Sequence, residues 1–289
     1  MNSVVLSVVY PGAERYISEF LNSLSRQTDK DFSLFLVNDG LGNIQDFLKG
    51  LDFDIQILEG KGSTAELRKL AIEWAISKEV ETIIFADADD YFSDNRVEVS
   101  KRMLNDYDVV CNEILLIGEN ISYPIPMFGK LFEDREEVVC ADIVKGNCMG
   151  LSNTAVHTKN IPSCIKEIPN DIIAFDWALF ALCLYSGAKS VFTKETKTYY
   201  RQHDNNLASP LDFSEDHIMM GVKVKKDHYR VLSSFYDEYV FLANTFESLS
   251  LDLEKDKALK QRYCQAVKQQ GAGNLLWWDP IKSLEDFGL

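Results

Sequence analysis

Hydrophobic and polar residues follow two different periods along the first ninety residues, which predicts alternating strands and helices. Short runs rich in β-branched and aromatic residues have the pattern of buried strands. They lie at 4–9, 32–39, 53–58 and 81–90. Apolar residues at 16–24 and 63–77 recur every three or four positions, as in amphipathic helices. This order predicts an α/β fold, in which ligands bind at the carboxyl ends of the strands.

The second half of the chain repeats this mixture and then becomes helical. The predicted elements are strands at 108–117 and 150–157, a helix at 175–186, a strand that closes at 199–203, and helical stretches at 215–249 and 253–270. The helical stretches are recognised by apolar residues at helical spacing. We therefore predict an α/β region that is followed, after residue 213, by a helical C-terminal extension.

Polar and turn residues follow three of the predicted strands. They are Tyr10-Pro11-Gly12, Asn38-Asp39-Gly40 and Asp87-Ala88-Asp89-Asp90. Because Asp87 and Asp89 are one residue apart in an extended segment, they project to the same side and can reach one divalent cation or one diphosphate. Oxygen ligands favour Mg²⁺ or Mn²⁺ over zinc. The alternative is a solvated acidic turn before the next helix.

Composition excludes several classes of function. Thirty basic and 45 acidic residues give a net charge of −15, which argues against nucleic acid or an anionic membrane as the main partner. The six cysteines form no CxxC pair, as expected of reduced thiols in the cytoplasm. No apolar run approaches the ~20 residues of a transmembrane helix, and no basic segment precedes the first run. We expect a cytoplasmic protein and keep open a peripheral position at the inner membrane face.

Common nucleotide-binding and calcium-binding motifs do not fit. The first strand is followed by P-G-A-E-R, where a dinucleotide-binding site would have GxGxxG. A GxxxxGK[ST] loop is absent, and the sixth position of a possible EF-hand loop is Phe92 instead of glycine. The polar strand ends therefore indicate a different kind of site.

Five segments between residues 4 and 207 resemble the family 2 glycosyltransferases in order and spacing. They are SVVYPGAERYISEFLNSLSRQTDKDFSLFLVNDG, GSTAELRKLAI, IIFADADDYF, AFDWALF and YYRQHDNN. The resemblance implies an α/β fold of GT-A type, with a Rossmann-like mixed sheet flanked by helices. It also implies a catalytic domain at 1–213, divided into a nucleotide-binding half at 1–95 and an acceptor half at 96–213, before the helical extension at 214–289.

The resemblance assigns roles to residues of both halves. Those implied to bind the nucleotide are Tyr10, Pro11, Glu14, Asp39, Arg68, Asp87, Ala88 and Arg201. Asp39 would accept a hydrogen bond from N3–H of uracil, since a carboxylate is an acceptor only. Asp89 would hold Mn²⁺ or Mg²⁺ across the diphosphate. His203 would be either a second metal ligand or a donor to the diphosphate.

On the acceptor side, the resemblance implies that Asp176 is the base of an inverting transfer. The family has Glu-Asp where this chain has Phe175-Asp176, so only the second carboxylate is present. Asp171 is the alternative base, and an ordinary charge at a helix N-terminus is the structural alternative for Asp176. Gly150 and Trp177 are the candidate acceptor contacts, although Trp177 also fits a core aromatic.

We therefore expect a metal-dependent inverting glycosyltransferase of the hexosyl- or N-acetylhexosaminyltransferase type. Its donor would be a nucleotide-sugar, with UDP-sugar preferred, and its acceptor a hydroxyl of a glycan or lipid-linked glycan. A nucleotidyltransferase is disfavoured because residues 10–16 lack a glycine-rich loop. The alternative from another class is a non-catalytic nucleotide-sugar or glycan-binding module, or a partner subunit acting through the helical tail. A homodimer through the C-terminal helices is also open.

Overall fold

The computed structural model describes residues 2–119, 121–203, 206, 208–270 and 277–278. Within them, nine strands form one sheet. The strands are β1 (Ser3–Val9), β2 (Ser33–Asn38), β3 (Asp54–Glu59), β4 (Thr82–Phe85), β5 (Tyr91–Phe92), β6 (Val109–Gly118), β7 (Ile125–Pro126), β8 (Thr154–His157) and β9 (Ser190–Gln202). Their order is β3-β2-β1-β4-β8-β6-β9-β5, with β7 paired to β6.

Helices cover the sheet and form the C-terminal region. They are α1 (Ile17–Ser25), α2 (Ile44–Phe47), α3 (Thr64–Ser77), α4 (Arg96–Met103), α5 (Cys140–Ile143), α6 (Phe175–Tyr185), α7 (Glu215–Ser233), α8 (Val240–Lys255) and α9 (Lys257–Gln270). Short 3₁₀ turns occupy Ala13–Arg15, Thr158–Asn160, Ser163–Glu167 and Asp237–Tyr239. Within the described ranges, no helix combines the length and apolarity needed to cross a membrane.

The sheet is mixed, as predicted. The strands β1 to β4 are parallel to one another, whereas β8 runs antiparallel to both β4 and β6. Alternate residues of β1 serve opposite faces of the sheet: Val4 and Leu6 belong to one buried cluster, and Val5 and Val9 to the other. Burial on both faces explains why this strand reads as a continuous apolar run.

The predicted start of α3 is confirmed by its capping box. The Ser63 side chain accepts a hydrogen bond from the Glu66 backbone N–H, and the Glu66 carboxylate accepts one from the Ser63 backbone N–H at 2.8 Å. These bonds satisfy two backbone donors at the helix start. The cap fixes where α3 begins, and hence places Arg68 in its second turn.

Several predicted element boundaries are wrong. The strand predicted at 81–90 ends at Phe85, so Asp87 and Asp89 lie around a turn and not in an extended segment. The helix predicted at 215–249 is two helices, because α7 ends at Ser233 and α8 begins at Val240. The reversal lets Tyr229 pack on Phe246, with ring centroids 5.2 Å apart, so that both apolar faces are buried. The next helix begins at Lys257 instead of 253, and the strand predicted at 150–157 is extended only over Thr154–His157. Most of the predicted tail beyond 270 lies outside the described residues.

Candidate active site

A cleft of about 420 Å³ lies at the carboxyl ends of β1, β2 and β4. Because parallel strands end at the same edge of a sheet, the polar residues that follow them converge there. The cleft is lined by seven of the residues singled out in the sequence: Tyr10, Asp39, Arg68, Asp87, Asp89, Gly150 and Asp176. The structure therefore brings residues from before and after position 95 together in one cavity.

Asp87 and Asp89 have different partners within the cleft. Arg68 donates to Asp87 Oδ1 at 3.0 Å in a largely buried ion pair. Burial raises the pKa of Asp87, and Arg68 opposes that rise. Asp89 Oδ2 accepts from the Tyr10 hydroxyl at 3.0 Å and lies 3.1 Å from His203 Nε2. Burial also disfavours the charged form of Asp89, but these hydrogen bonds outweigh it and lower its pKa.

Asp90, which was not among the predicted site residues, is buried and anchors the acidic turn to neighbouring segments. It is 1% exposed and accepts hydrogen bonds from the Ser152 hydroxyl and, at 2.8 Å, from the Arg201 backbone N–H. Burial and the neighbouring carboxylates raise its pKa well above the usual range. Asp90 therefore joins the turn after β4 to β9 and to the segment before β8.

Arg201 and His203 lie behind Asp89 and outside the lining of the cleft. Arg201 Nε donates to the Asp89 carbonyl at 3.0 Å, and its guanidinium forms an ion pair with Glu19. The His203 ring stacks on Tyr16, with centroids 5.1 Å apart. The Arg201 guanidinium thus bonds Glu19 and the Asp89 carbonyl, and it is connected to the cleft through Asp89.

Three other residues predicted to contact the nucleotide do not line the cleft. Pro11 and Glu14 are exposed, and Ala88 is buried at 1% exposure. Gly12 has a φ of +109°, a left-handed conformation that suits glycine, and its N–H donates to the Glu14 carboxylate. Glu14 therefore closes the turn after Tyr10 and stabilises the wall of the cleft from outside.

Asp176 lies in the first turn of α6, on the wall that the acceptor half contributes. Its Oδ2 accepts a hydrogen bond from Asn147 Nδ2 at 3.1 Å. Burial raises the pKa of Asp176 to about 6, with Arg68 opposing the rise and Asp87 adding to it. Asp171, the alternative base, is exposed and is not among the residues that line the cleft.

Lys69, where the related family has asparagine, ties α3 to the segment before α6. Its Nζ donates to the Ile168 carbonyl at 2.8 Å and also bonds the Asn170 side chain. Asn170 in turn donates to the Glu66 carboxylate at 2.7 Å. These contacts hold the approach to Asp176 against the helix that carries Arg68, so the departure from the family pattern serves packing between the two halves.

The acceptor-side expectation for Trp177 is not met. Its ring is 0% exposed, stacks on His228 with centroids 3.7 Å apart, and donates from Nε1 to the Ile143 carbonyl at 2.6 Å. It therefore belongs to the core between α6 and α7 and cannot reach a ligand. Two tryptophans that were not predicted as site residues, Trp277 and Trp278, line the cleft instead.

Asp89 and His203 form a donor set suited to Mn²⁺ or Mg²⁺ with a phosphate ligand. A carboxylate and an imidazole within 3.1 Å of each other can ligate one ion, and Mg²⁺ is commonly held by one or two protein groups together with substrate phosphates. No group of three or more His, Cys, Asp or Glu side chains among the described residues is arranged to hold a metal by itself. The pair therefore fits an ion shared with a diphosphate.

Comparisons with known proteins find similarity to one family within residues 4–123. Residues 4–123 match the model of glycosyl transferase family 2. Over 119 residues the chain is 34% identical to the teichoic acid poly(glycerol phosphate) polymerase of Staphylococcus epidermidis. This match covers 37% of this chain and 16% of that protein. The chain thus spans about a sixth of the length of this curated relative.

Solved structures extend the likeness in fold to nearly the whole chain. The S. aureus TarS fragment 1-349 in complex with UDP-GlcNAc matches with a TM-score of 0.60 and 18% identity, over 94% of this chain and 81% of that one. GalNAc-T7 with UDP, GalNAc and Mn²⁺ matches with a TM-score of 0.58 and 13% identity, over 99% of this chain and 53% of that one. These matches confirm the predicted GT-A type fold.

Proposed function

We propose that this protein is a metal-dependent inverting glycosyltransferase, because residues 4–123 match the model of glycosyl transferase family 2. It takes a sugar from a UDP-sugar and transfers it to a hydroxyl of a glycan or lipid-linked glycan. The observation that carries this proposal is the convergence of Asp39, Asp89 and Asp176 on one cleft, with His203 bonded to Asp89.

The donor end of the cleft suits a uridine diphosphate. Asp39 follows β2 and presents an acceptor to the N3–H edge of a base. Arg68 is a cation of the same cleft that Asp87 already holds in place. The structures of TarS with UDP-GlcNAc and of GalNAc-T7 with UDP support uridine as the nucleoside.

Asp89 and His203 are the residues that would hold the divalent ion. When bound, such an ion neutralises charge on the departing diphosphate. The Tyr10 hydroxyl and the Arg201 guanidinium orient Asp89 through its carboxylate and its carbonyl, respectively. A protein of net charge −15 gains more than most from this arrangement, since its overall field repels a diphosphate.

Asp176 acts as the base that takes the proton of the acceptor hydroxyl. As this oxygen attacks the anomeric carbon, the bond from that carbon to the diphosphate oxygen breaks on the opposite face, and the configuration inverts. A pKa of about 6 leaves the carboxylate ionised at neutral pH and still basic enough to share a proton. Asn147 holds the carboxylate in a fixed orientation.

One observation favours a second candidate, a non-catalytic nucleotide-sugar-binding module. The position of the family's first acid is Phe175, which is fully buried and cannot take part in proton transfer. Such a module would bind UDP through the same residues and release no diphosphate.

UDP release from UDP-sugars in Mn²⁺ without acceptor separates the two candidates. A transferase hydrolyses at least one of UDP-GlcNAc, UDP-GalNAc, UDP-Glc and UDP-Gal slowly. Asp89→Ala should lower that rate about 100-fold, the order of loss on removing one electrostatic stabiliser of a transition state. Asp94→Ala is the matched control, because Asp94 is exposed and pairs with Arg26 outside the cleft. UDP binding without release in the unmodified protein would favour the binding module.

A further inference from the structure

Trp277 is packed into the wall of the cleft, although it comes from the C-terminal region. Its carbonyl accepts a hydrogen bond from the Asn147 backbone N–H at 3.1 Å, and the two residues form an antiparallel β-bridge. Its ring packs edge-on against Phe128 and Tyr200, with centroids 5.7 and 5.6 Å away. Contacts on the main chain and on the ring thus fix this indole in place.

Gly150 lies directly under the Trp277 ring. A Cβ atom at this position would be 2.7 Å from Cη2 of Trp277, closer than any side chain tolerates. Gly150 and Trp277 both line the cleft. The glycine that the sequence singled out on the acceptor side therefore makes room for an indole that lines the cleft.

The two tryptophans have features that their own packing does not account for. Trp277 is 5% exposed, and its Nε1–H has no hydrogen-bond acceptor among the described residues. Trp278 has a φ of +65°, in the left-handed region that bulky residues seldom adopt and that is enriched at ligand sites. A buried donor without an acceptor, at the wall of a cleft, is suited to a ligand oxygen.

Asn147 links the two tryptophans to Asp176, the proposed catalytic base. Its backbone bonds Trp277, while its side chain bonds the Asp176 carboxylate at 3.1 Å. Asp39, where the base of the nucleotide would lie, belongs to the strand-end wall of the nucleotide half. The tryptophans are therefore part of the acceptor end of the cleft.

Among the described lining residues after position 95, Asp176 is the one charged group, and most of the others are apolar. Its neighbours in the lining include Leu151, Ile173, Ala174 and Tyr200. Among the described residues that line the cleft, Arg68 is the one cation, and Asp87 already pairs with it. A phosphate group bound beside Asp176 would thus meet that carboxylate and a guanidinium whose charge Asp87 already balances, which is costly in a partly desolvated cleft.

We propose that Trp277 and Trp278 form the acceptor subsite, and that the unit bound there is an uncharged pyranose ring instead of a polyol phosphate. The inference rests on the proposed function, because it names the acceptor of the same site. A pyranose offers a face of C–H groups that buries apolar area against an indole, and an edge of hydroxyls for Trp277 Nε1–H and Asp176.

The test is calorimetric titration of the full chain loaded with UDP and Mn²⁺. The probes are methyl glycosides of glucose, galactose, N-acetylglucosamine and N-acetylgalactosamine, and a glycerol phosphate trimer. At least one glycoside should bind about tenfold or more tightly than the trimer. Trp278→Ala should weaken that glycoside about tenfold, and Trp278→Phe by much less, since the loss scales with buried aromatic area. Trp74→Phe is the matched control, because Trp74 stacks on Phe35 away from the cleft.

Three results would overturn the proposal: equal or tighter binding of the trimer, an unchanged glycoside Kd in Trp278→Ala, or an equal loss of UDP affinity in both Trp278 variants. The last would indicate a purely structural role. Failure of the proposed function has a different signature, since the unmodified protein would then release no UDP from any UDP-sugar. Glycoside binding is measured without turnover, so it reports on the subsite even in that case.

Discussion

The two ends of the cleft are built in different ways. The donor end comes from the ends of neighbouring parallel strands, and two of its carboxylates have partners within the protein: Asp87 pairs with Arg68, and Asp89 is bonded to His203. The acceptor end is assembled from Asn147, Gly150, Asp176 and the described tail tryptophans, which lie far apart in the chain. Under the proposed function, one end suits a charged diphosphate, and the other suits an apolar ligand face and the transfer of one proton.

The carboxylates show the same contrast. Hydrogen bonds lower the pKa of Asp89, whereas burial, only partly opposed by Arg68, raises that of Asp176 to about 6. Two carboxylates whose surroundings move their pKa values apart are suited to two different tasks. Under the proposed function, Asp89 at the donor end is suited to hold a cation, and Asp176 at the acceptor end is suited to exchange a proton.

The largest expected effect comes from Asp176→Asn. It removes the base without changing the size of the side chain, so turnover should fall about 10³-fold, within the range for general-base catalysis. The Kd for UDP should change less than about twofold, because Asp176 lies at the acceptor end. Transfer rates and UDP titrations check the two halves of this expectation.

Asp171→Asn is the matched control for that variant, since Asp171 is exposed outside the cleft. It should leave turnover nearly unchanged. If instead Asp171→Asn abolished turnover and Asp176→Asn did not, the base would be Asp171. Equal loss of UDP binding and turnover in Asp176→Asn would mean that the two ends are not separate.

A smaller effect is expected at the donor end from Asp39→Asn. A hydrogen bond to a charged group contributes about 1.5–3 kcal/mol, so UDP affinity should fall roughly tenfold to a hundredfold. The preference for UDP over GDP should fall with it, as competition titrations would show. Asp46→Asn is the control, because Asp46 is exposed and pairs with Lys49. An equal loss for both nucleotides would contradict a role for Asp39 in reading the base.

The smallest expected effect is a shift in the pH profile. Burial raises the folded pKa of Asp176 to about 6 and so favours its neutral form, which means that kcat/KM should fall as the pH drops through about 6. Asn147→Ala removes a hydrogen bond to the charged form, so this acid limb should move up by about one pH unit. If the acid limb of the kcat/KM profile lay at the same pH in Asn147→Ala as in the unmodified protein, Asn147 would be excluded as a positioning residue.

Much of the donor end was predictable because its signals are local. The strand runs, the Ser63–Glu66 capping box and the carboxylates after β4 act within a few residues of each other. Asp90 stood in the same acidic run, yet its role depends on Ser152 and Arg201, which pack beside it only in the folded chain. Position in the sequence alone could not separate it from Asp89.

The acceptor end was harder to predict because helical spacing does not tell a core residue from one that faces a cavity. Trp177 and Trp277 are both buried aromatics, but only the second lies against Gly150 in the cleft. Asn147 carried no signal at all, since its meaning comes from bonding Trp277 and Asp176 at once. The reversal between α7 and α8 was hidden for a related reason, because the apolar period continues across it.

By itself, the amino-acid sequence determined the α/β order, the strand ends that carry carboxylates, and the family resemblance. Hydrophobic period, capping and strand-end chemistry act over short stretches of chain, so they can be read from it directly. Tertiary packing decided which distant side chains share the cleft, which aromatics face it, and which carboxylate is buried enough to hold a raised pKa. Those properties depend on the desolvation and contacts that arise only when remote segments meet.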